Sequence, residues 1–474
     1  MTAAPTPAWR AVFWLAALAV LLALHRGDPL NSDDGLVLAG AWDMWLGRLI
    51  YRDFFVWTAP GAFYSVWAAW LVTGPSWETA KALGIASVLL SAWAIVRTAA
   101  LFTPSGRAYV PAAIFVVLSV AWPIVSYNVL SIPWLAWAVY FGARGCIDAR
   151  PATFVLAGLA SGAGVLYLQH RGLAVAGATA AFCAVQALRV GPRWLVSLAW
   201  FTAGFVPPLL LLLRWEPALV AEALFIFPWE RYQPDATHRG PFVTYASVWM
   251  LVLGMAWTLR RRMTAALAYV LTVQAVLLAA AYRSWDWSHI SFALFPLFAA
   301  LPALDWSPPP AAGVSPRLWR LLVATYYGGL AGSTAAHAAH TAFVTQRVPE
   351  ARTLPLVRFI ERECSGSRYL WAGPFIAGVY FYTRTVNPTR FSILFARQNR
   401  PEHVAEARDA LDRVRPPCVV VNHRVGSQWH TTDNDVDRFI AAHYRPAFTT
   451  GDTTVLVRAD GRRTDNLSSD PTVP

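Results

Sequence analysis

Over most of its length the chain alternates long apolar runs with short polar connections. The first run is Ala11 to Leu24, and later ones cover about 82 to 96, 108 to 122, 129 to 143, 152 to 168, 172 to 188, 195 to 213, 243 to 259, 264 to 282, 288 to 304 and 318 to 338. Helical runs of this length approach the roughly 30 Å hydrocarbon layer of a bilayer. The pattern predicts an α-helical polytopic membrane protein with about eleven transmembrane helices. Behind the first run stands His25-Arg26-Gly27-Asp28 rather than a small-residue cleavage site, so that run is expected to be a retained span. From about Pro349 the composition turns soluble. Arg368 to Trp371, Cys418 to Val421 and Thr453 to Arg458 read as buried strands, and Pro401 to Val414 and Asp435 to His443 as helices. The expected organisation is a transmembrane domain at 1–345 with a first outward loop at 25–81, a small soluble α/β domain at 346–460, and a disordered tail at 461–474.

Composition supports the bilayer as main solvent, with 56% hydrophobic and only 14% charged residues and a mean hydropathy of +0.41. Many of the 24 Trp, Trp9, Trp57, Trp77 and Trp122 among them, flank apolar runs, where an indole favours the headgroup layer. A net charge of +12 would suggest nucleic acid in a soluble protein. Here the cations collect instead in Arg97 to Arg107, Arg144 to Arg150, Arg189 to Arg193 and Arg260-Arg261-Arg262, as cytoplasmic retention requires, and no nucleic-acid partner is expected. Loops 123–128, 169–171, 214–242 and 283–287 then face outward together. Loop 25–81 joins them if Trp57 to Val72 lies in the interface or re-enters; a genuine crossing there would shift the topology. Of Cys146, Cys183, Cys364 and Cys418, none has metal-ligand spacing. The last two lie in the soluble domain, as a disulfide if that domain is extracytoplasmic or as two buried thiols.

The first outward loop carries the densest ionisable set near the membrane: Asn31-Ser32-Asp33-Asp34-Gly35, then Tyr51-Arg52-Asp53-Phe54-Phe55 and Thr58-Ala59-Pro60-Gly61. Paired acids beside a membrane can deprotonate an acceptor hydroxyl or hold a cation. Ser32-Asp33-Asp34 is equally a good helix N-cap.

These motifs, with a long outward loop midway and a soluble C-terminal domain, resemble the GT-C superfamily of membrane glycosyltransferases. Within it the chain is similar to the branch of bacterial protein O-mannosyltransferases and lipid A aminoarabinose transferases. The resemblance implies a GT-C-like fold, transfer of a hexosyl or pentosyl group from a polyprenyl-phosphate sugar to an envelope hydroxyl (on protein, lipid or polysaccharide), and inversion. It makes Asp34 and Asp33 the candidates for general base. Arg171 in Gln169-His170-Arg171-Gly172, and Arg283 and His289 in Arg283-Ser284-Trp285-Asp286-Trp287-Ser288-His289, become candidates for the donor phosphate. The arginines suit equally as membrane-end anchors. Arg52, Asp53, Glu230, His238 and Arg239 are the candidate acceptor or lid residues; His238-Arg239-Gly240-Pro241-Phe242 is similar to a family sequence over the active-site cavity. Their long loop also reads as a packed interfacial one. Two departures stand out. Thr58-Ala59 replace a family Glu-Lys pair, and Ser126-Tyr127-Asn128 replace a second family acid. With few acidic ligands left, no metal and no cofactor are expected. The resemblance places the protein in the cell inner (cytoplasmic) membrane, with its C-terminal domain outside. A transporter or lipid flippase is the rival reading, although such proteins concentrate ionisable groups near mid-membrane. A non-catalytic glycolipid-binding scaffold is the third.

Overall fold

The computed structural model describes residues 6–24, 30, 33–103, 106–231, 239–284, 287–304, parts of 315–339, 354–424 and 430–459. Helices α1 (Pro7–Leu24), α4 (Trp77–Ala99), α5 (Val110–Ser119), α6 (Tyr127–Asp148), α7 (Pro151–Tyr167), α8 (Gln169–Val190) and α9 (Arg193–Leu209) follow the predicted apolar runs, while α2 (Asp33–Trp45) and α3 (Gly61–Thr73) fill the first loop. Short helices α10 (Pro217–Ala221) and α11 (Phe227–Arg231) lead to α12 (Arg239–Leu259) and α13 (Ala265–Ala280). The run at 288–304 is broken into α14 (Trp287–Phe292) and α15 (Phe295–Ala300), with Pro296 at the start of the second piece. Four described helices, counting α9 through to Arg214, are long and apolar enough to cross a bilayer unaided, and shorter apolar helices accompany them. Exposed Val12, Leu15, Leu22, Leu210, Leu211 and Leu213 on these helices form the kind of apolar surface that lipid covers.

Small residues set the closest helix contact. Gly158 and Gly162, four apart on α7, lie against the backbone of α9 at Phe201 and Phe205, and Gly204 of α9 lies against that of α7; a Cβ on Gly158 would strike the Phe201 carbonyl, and one on Gly204 the Val155 carbonyl. Backbones approach this closely only where side chains are missing, the membrane small-xxx-small device.

Helix α3 has 13 residues, a rise of roughly 20 Å, too short for a 30 Å layer. It packs on α2 and its buried Trp70 stacks on Phe381 of the C-terminal domain, ring centroids 5.0 Å apart. Trp70 of the Trp57–Val72 stretch is thus a packing residue beneath the C-terminal domain.

The C-terminal domain contains α16 (Pro355–Glu363), α17 (Gly378–Thr383), α18 (Pro401–Val414) and α19 (Asp435–His443) around a four-stranded sheet of β1 (Trp371–Gly373), β2 (Cys418–Val421), β3 (Tyr444–Thr450) and β4 (Thr453–Arg458). The strand order is β1-β2-β4-β3, with β1 parallel to β2 and the other pairs antiparallel. Cys364 and Cys418 are disulfide-bonded, which decides between the two alternatives for these thiols. The domain is seated on the first loop: Phe55 N–H donates to the Arg390 carbonyl at 2.7 Å, Trp42 Nε1 to the Thr385 carbonyl at 3.0 Å, and Gly378 N–H to the Leu30 carbonyl at 3.3 Å. Loop and domain therefore lie on the same side of the helical part. The tail at 461–474 lies outside the described residues.

Candidate active site

Helix α2 opens with Asp33 and Asp34 in its first turn, where the helix dipole favours carboxylates. Successive helical residues point about 100° apart, so the two acids meet different surroundings. Asp34 is fully buried, and its Oδ1 accepts the Val125 N–H at 2.6 Å. Asp33 is half-buried; Oδ1 accepts from the Tyr127 hydroxyl at 3.2 Å and Oδ2 from Asn128 Nδ2 at 3.1 Å. The segment standing where a second acid was expected thus supplies donors to the first. Ser126 caps α6 by accepting the Val129 N–H, fixing the backbone from which Tyr127 and Asn128 project.

Tyr127 and Asn128 line a cavity of about 460 Å³. Its other walls come from Trp57 and Thr58 of the first loop, Leu168, Gln169, His170 and Leu173 at the start of α8, Leu224, Phe225, Pro228 and Trp229 of the long loop, and Ala279, Ala280, Tyr282 and His289. The lining mixes polar with apolar side chains. Gln169, buried, holds the walls together: its Oε1 accepts the Ala59 N–H at 3.2 Å, and its Nε2 donates to the carbonyls of Trp57 at 3.0 Å and Leu224 at 3.1 Å.

The candidate phosphate residues separate. His289 lines the cavity. Arg171 is buried just behind that wall, its Nη2 donating to the His289 carbonyl at 3.3 Å and its guanidinium 5.2 Å from the Phe292 ring centroid. The side chain of Arg283 lies outside the described residues. His170, between Gln169 and Arg171, is a cavity residue that the sequence reading had included only as part of its motif.

The acceptor and lid candidates are not gathered at the cavity. Arg52 and Asp53 form a local pair, Nε to Oδ1 2.8 Å, on an exposed turn, and this bond holds the Asp53 carboxyl below the usual carboxylate range. Asp53 also accepts the Leu49 N–H, which makes the pair part of the turn itself. Glu230 points to the C-terminal domain, pairing at 2.8 Å with Arg400, which also reaches Glu222 at 2.9 Å. Neighbouring Arg231 donates to the carbonyls of Gln398 and Asn399. This part of the long loop therefore clamps the C-terminal domain. His238 lies outside the described residues, as does the side chain of Arg239. One acid of the first loop had not been singled out: Asp43, buried on α2, is pushed up to about 6 by burial against the pull of Arg48 at 2.7 Å. Neither Asp43 nor Asp33 is itself among the lining residues; Asp33 adjoins the cavity through Tyr127 and Asn128.

No protein-family model and no curated protein sequence matches the chain. Solved structures do. ArnT from Cupriavidus metallidurans, bound to undecaprenyl phosphate, superposes with a TM-score of 0.64 at 14% identity, covering 95% of this chain and 98% of that one. Its apo state gives a TM-score of 0.63 at 15% identity, with 95% and 97% covered. An oligosaccharyltransferase from Archaeoglobus fulgidus, in complex with Zn and sulfate, gives 0.54 at 11% identity over 94% of this chain and 73% of that one. Both proteins share one architecture of membrane helices, and the chain has that architecture over nearly its full length: the GT-C fold, with a small mixed-sheet domain at its C-terminus.

Proposed function

We propose that this protein is a membrane glycosyltransferase that moves a sugar from a polyprenyl-phosphate donor to a hydroxyl acceptor, with Asp33 as general base. The observation that carries the reading is the placement of Asp33, half-exposed and oriented by two cavity-lining donors, Tyr127 and Asn128. The cavity's mixed walls suit a ligand with a polar head and an apolar tail, and the ArnT of the same fold was solved with undecaprenyl phosphate.

In the proposed reaction the acceptor O–H gives its proton to Asp33 while its oxygen attacks the anomeric carbon. The bond from that carbon to the phosphate oxygen breaks, and its electron pair leaves with the lipid phosphate. A single displacement inverts the anomeric centre. The leaving phosphate gathers negative charge, which His170 and His289 meet with N–H donors and Arg171 with a buried positive charge behind the wall. Asp34 keeps the Val125 segment in register and so positions Tyr127 and Asn128. No step is assigned to Arg52, Asp53 or Glu230, whose partners are structural. We place the C-terminal domain outside the cytoplasmic membrane, because the Arg-rich connections suit the cytoplasm and a disulfide persists in an oxidising compartment.

The test uses the full chain in lipid nanodiscs with a panel of radiolabelled polyprenyl-phosphate sugars and envelope acceptors. Asp33→Asn is expected to lose about 100-fold or more in transfer while retaining donor binding. Asp34→Asn is expected to lower stability along with activity. Transfer by Asp33→Asn at the wild-type rate overturns the assignment of the base. Movement of intact lipid-linked sugar across the bilayer without glycosyl transfer establishes the transporter reading instead, and donor binding without turnover the scaffold reading.

A further inference from the structure

The C-terminal domain gathers ionisable side chains that the transfer chemistry does not use. His423 follows β2, His430 precedes α19, and Asp437 stands in the first turn of α19. Nε2 of His423 lies 2.9 Å from Oδ1 of Asp437, and Nε2 of His430 lies 2.8 Å from Oδ2. The two imidazole rings stack nearly parallel, centroids 5.4 Å apart and planes 9° from each other, so both Nε2 atoms converge on one place. One nitrogen from each ring and a carboxylate oxygen fall within 4.8 Å of one another. Asn434 locks the carboxylate in position: its Nδ2 donates to Oδ2 of Asp437, while its Oδ1 caps α19 by accepting the Val436 and Asp437 N–H groups. Burial pushes the Asp437 carboxyl up, yet hydrogen bonds from His423, His430 and Asn434 outweigh it and hold the group well below the usual carboxylate range. His430 and Asp437 are 7% and 8% exposed, whereas His423 is 38% exposed and leaves one side open to solvent.

We propose that His423, His430 and Asp437 form a binding site for a divalent first-row transition metal ion of the zinc class. Two imidazoles and one carboxylate are a donor set that zinc takes readily, with a fourth position left for water. Calcium and magnesium favour all-oxygen sets and suit the two nitrogens poorly. In the metal-free state His430 carries its ring proton on Nε2, because its Nδ1 accepts the Ala396 N–H at 3.3 Å. Loading moves that proton to Nδ1 and gives up this long hydrogen bond; the His423 proton that faces Asp437 Oδ1 likewise shifts from Nε2 to Nδ1, and both Nε2 lone pairs then meet the ion. The bound ion ties the segment after β2 to α19, at a place separate from the transfer cavity and independent of what that cavity does.

The experiment uses the full chain in nanodiscs, purified through a tag without histidine and stripped with chelator. Zinc is added and counted by elemental analysis, and cobalt(II) is substituted as a spectroscopic probe. The wild type is expected to retain about one zinc per chain, to show the visible absorption of tetrahedral cobalt, and to unfold at higher temperature with metal than without. His423→Gln alters the most exposed ligand and is expected to bind at least about tenfold more weakly, with no change in the unfolding of the metal-free protein or in the Cys364–Cys418 disulfide. Asp437→Asn is expected to abolish the cobalt spectrum. The proposal is overturned if the wild type takes up no zinc at micromolar free metal, or if His423→Gln keeps wild-type stoichiometry, affinity and spectrum.

Discussion

The seam between the C-terminal domain and the first loop contains a histidine whose protonation the structure opposes. His403, on α18, is 7% exposed and lies among three phenylalanine rings, with centroids 5.3 Å from Phe55, 5.6 Å from Phe227 and 4.8 Å from Phe391. Its Nδ1 has no hydrogen-bond partner among the described residues. Burial and the nearby Arg390 and Arg400 lower its pKa from 6.5 to about 4, against the smaller opposing pull of Glu406 and Glu402. The unfolded chain takes up a proton near 6.5 and the folded seam does not, so the stabilising contribution is fully present above that pH. It is lost as the pH falls towards 4. A difference of this size in proton affinity corresponds to about 3 kcal/mol, and water at the rim of the seam reduces it to about 2 kcal/mol. His403→Phe keeps a ring in the cluster and removes the titration. The measurement is thermal unfolding and protease resistance of both proteins in nanodiscs at several pH values between 7.5 and 4.5. The informative quantity is the difference between the two curves, in which everything common to both proteins cancels. Wild type is expected to lose about 1–2 kcal/mol more than His403→Phe by pH 4.5. Parallel curves would show that the imidazole is not held neutral by its surroundings and would refute the argument.

Three further outcomes follow from geometry. Gln169→Leu leaves a buried N–H and two buried carbonyls without their partner, a loss of about 3–5 kcal/mol, and is expected to lower the melting temperature and raise the donor KM more than it lowers kcat. Unchanged melting and KM would remove Gln169 as the tie between the cavity walls. Replacing Cys364 and Cys418 together by Ala opens a cross-link between residues 54 apart, worth about 4 kcal/mol by chain entropy, and is expected to make the C-terminal domain the first part to be proteolysed. Gly158→Leu forces α7 from α9 and is expected to cost more than about 2 kcal/mol, read as a lowered melting temperature in nanodiscs, with Leu159→Val as the tolerated control.

Much of the helical part is legible because its signal is local. The apolar runs up to residue 282 became helices, the run at 288–304 became two short ones, and the run at 318–338 lies largely outside the described residues; Pro401–Val414 and Asp435–His443 show their apolar positions at helical spacing. Strand β2 is a continuous apolar run and β4 centres on Val455-Leu456-Val457, so both were equally readable. Strand β3 was not expected, because it is a largely exposed edge strand with Pro446 inside it and a register shift beside that proline. Strand β1 was expected to begin at Arg368 but begins at Trp371, since Tyr369 is drawn into an isolated bridge with Val386 instead. At the site, sequence pointed to Asp33 and Asp34 but left open which would reach a ligand. The choice depends on contacts more than 90 residues away, to Val125, Tyr127 and Asn128. Glu230 was placed with the lid for want of knowledge of Arg400, 170 residues further on. His423, His430 and Asp437 share no single helix or strand, so no periodicity announces them.

The mixed lining of the cavity also decides how the proposed transferase should be assayed. Leu168, Leu173, Leu224, Phe225, Ala279 and Ala280 give the lining apolar surface, while Asn128, Gln169 and His289 add polar groups to it. On the proposed reading, the two substrates arrive from different solvents, the donor along a surface and the acceptor from outside. The donor's concentration is then a mole fraction among lipids, not a molarity. Adding inert lipid at constant bulk donor is expected to slow turnover, while changing the aqueous volume at constant lipid composition leaves donor saturation where it was.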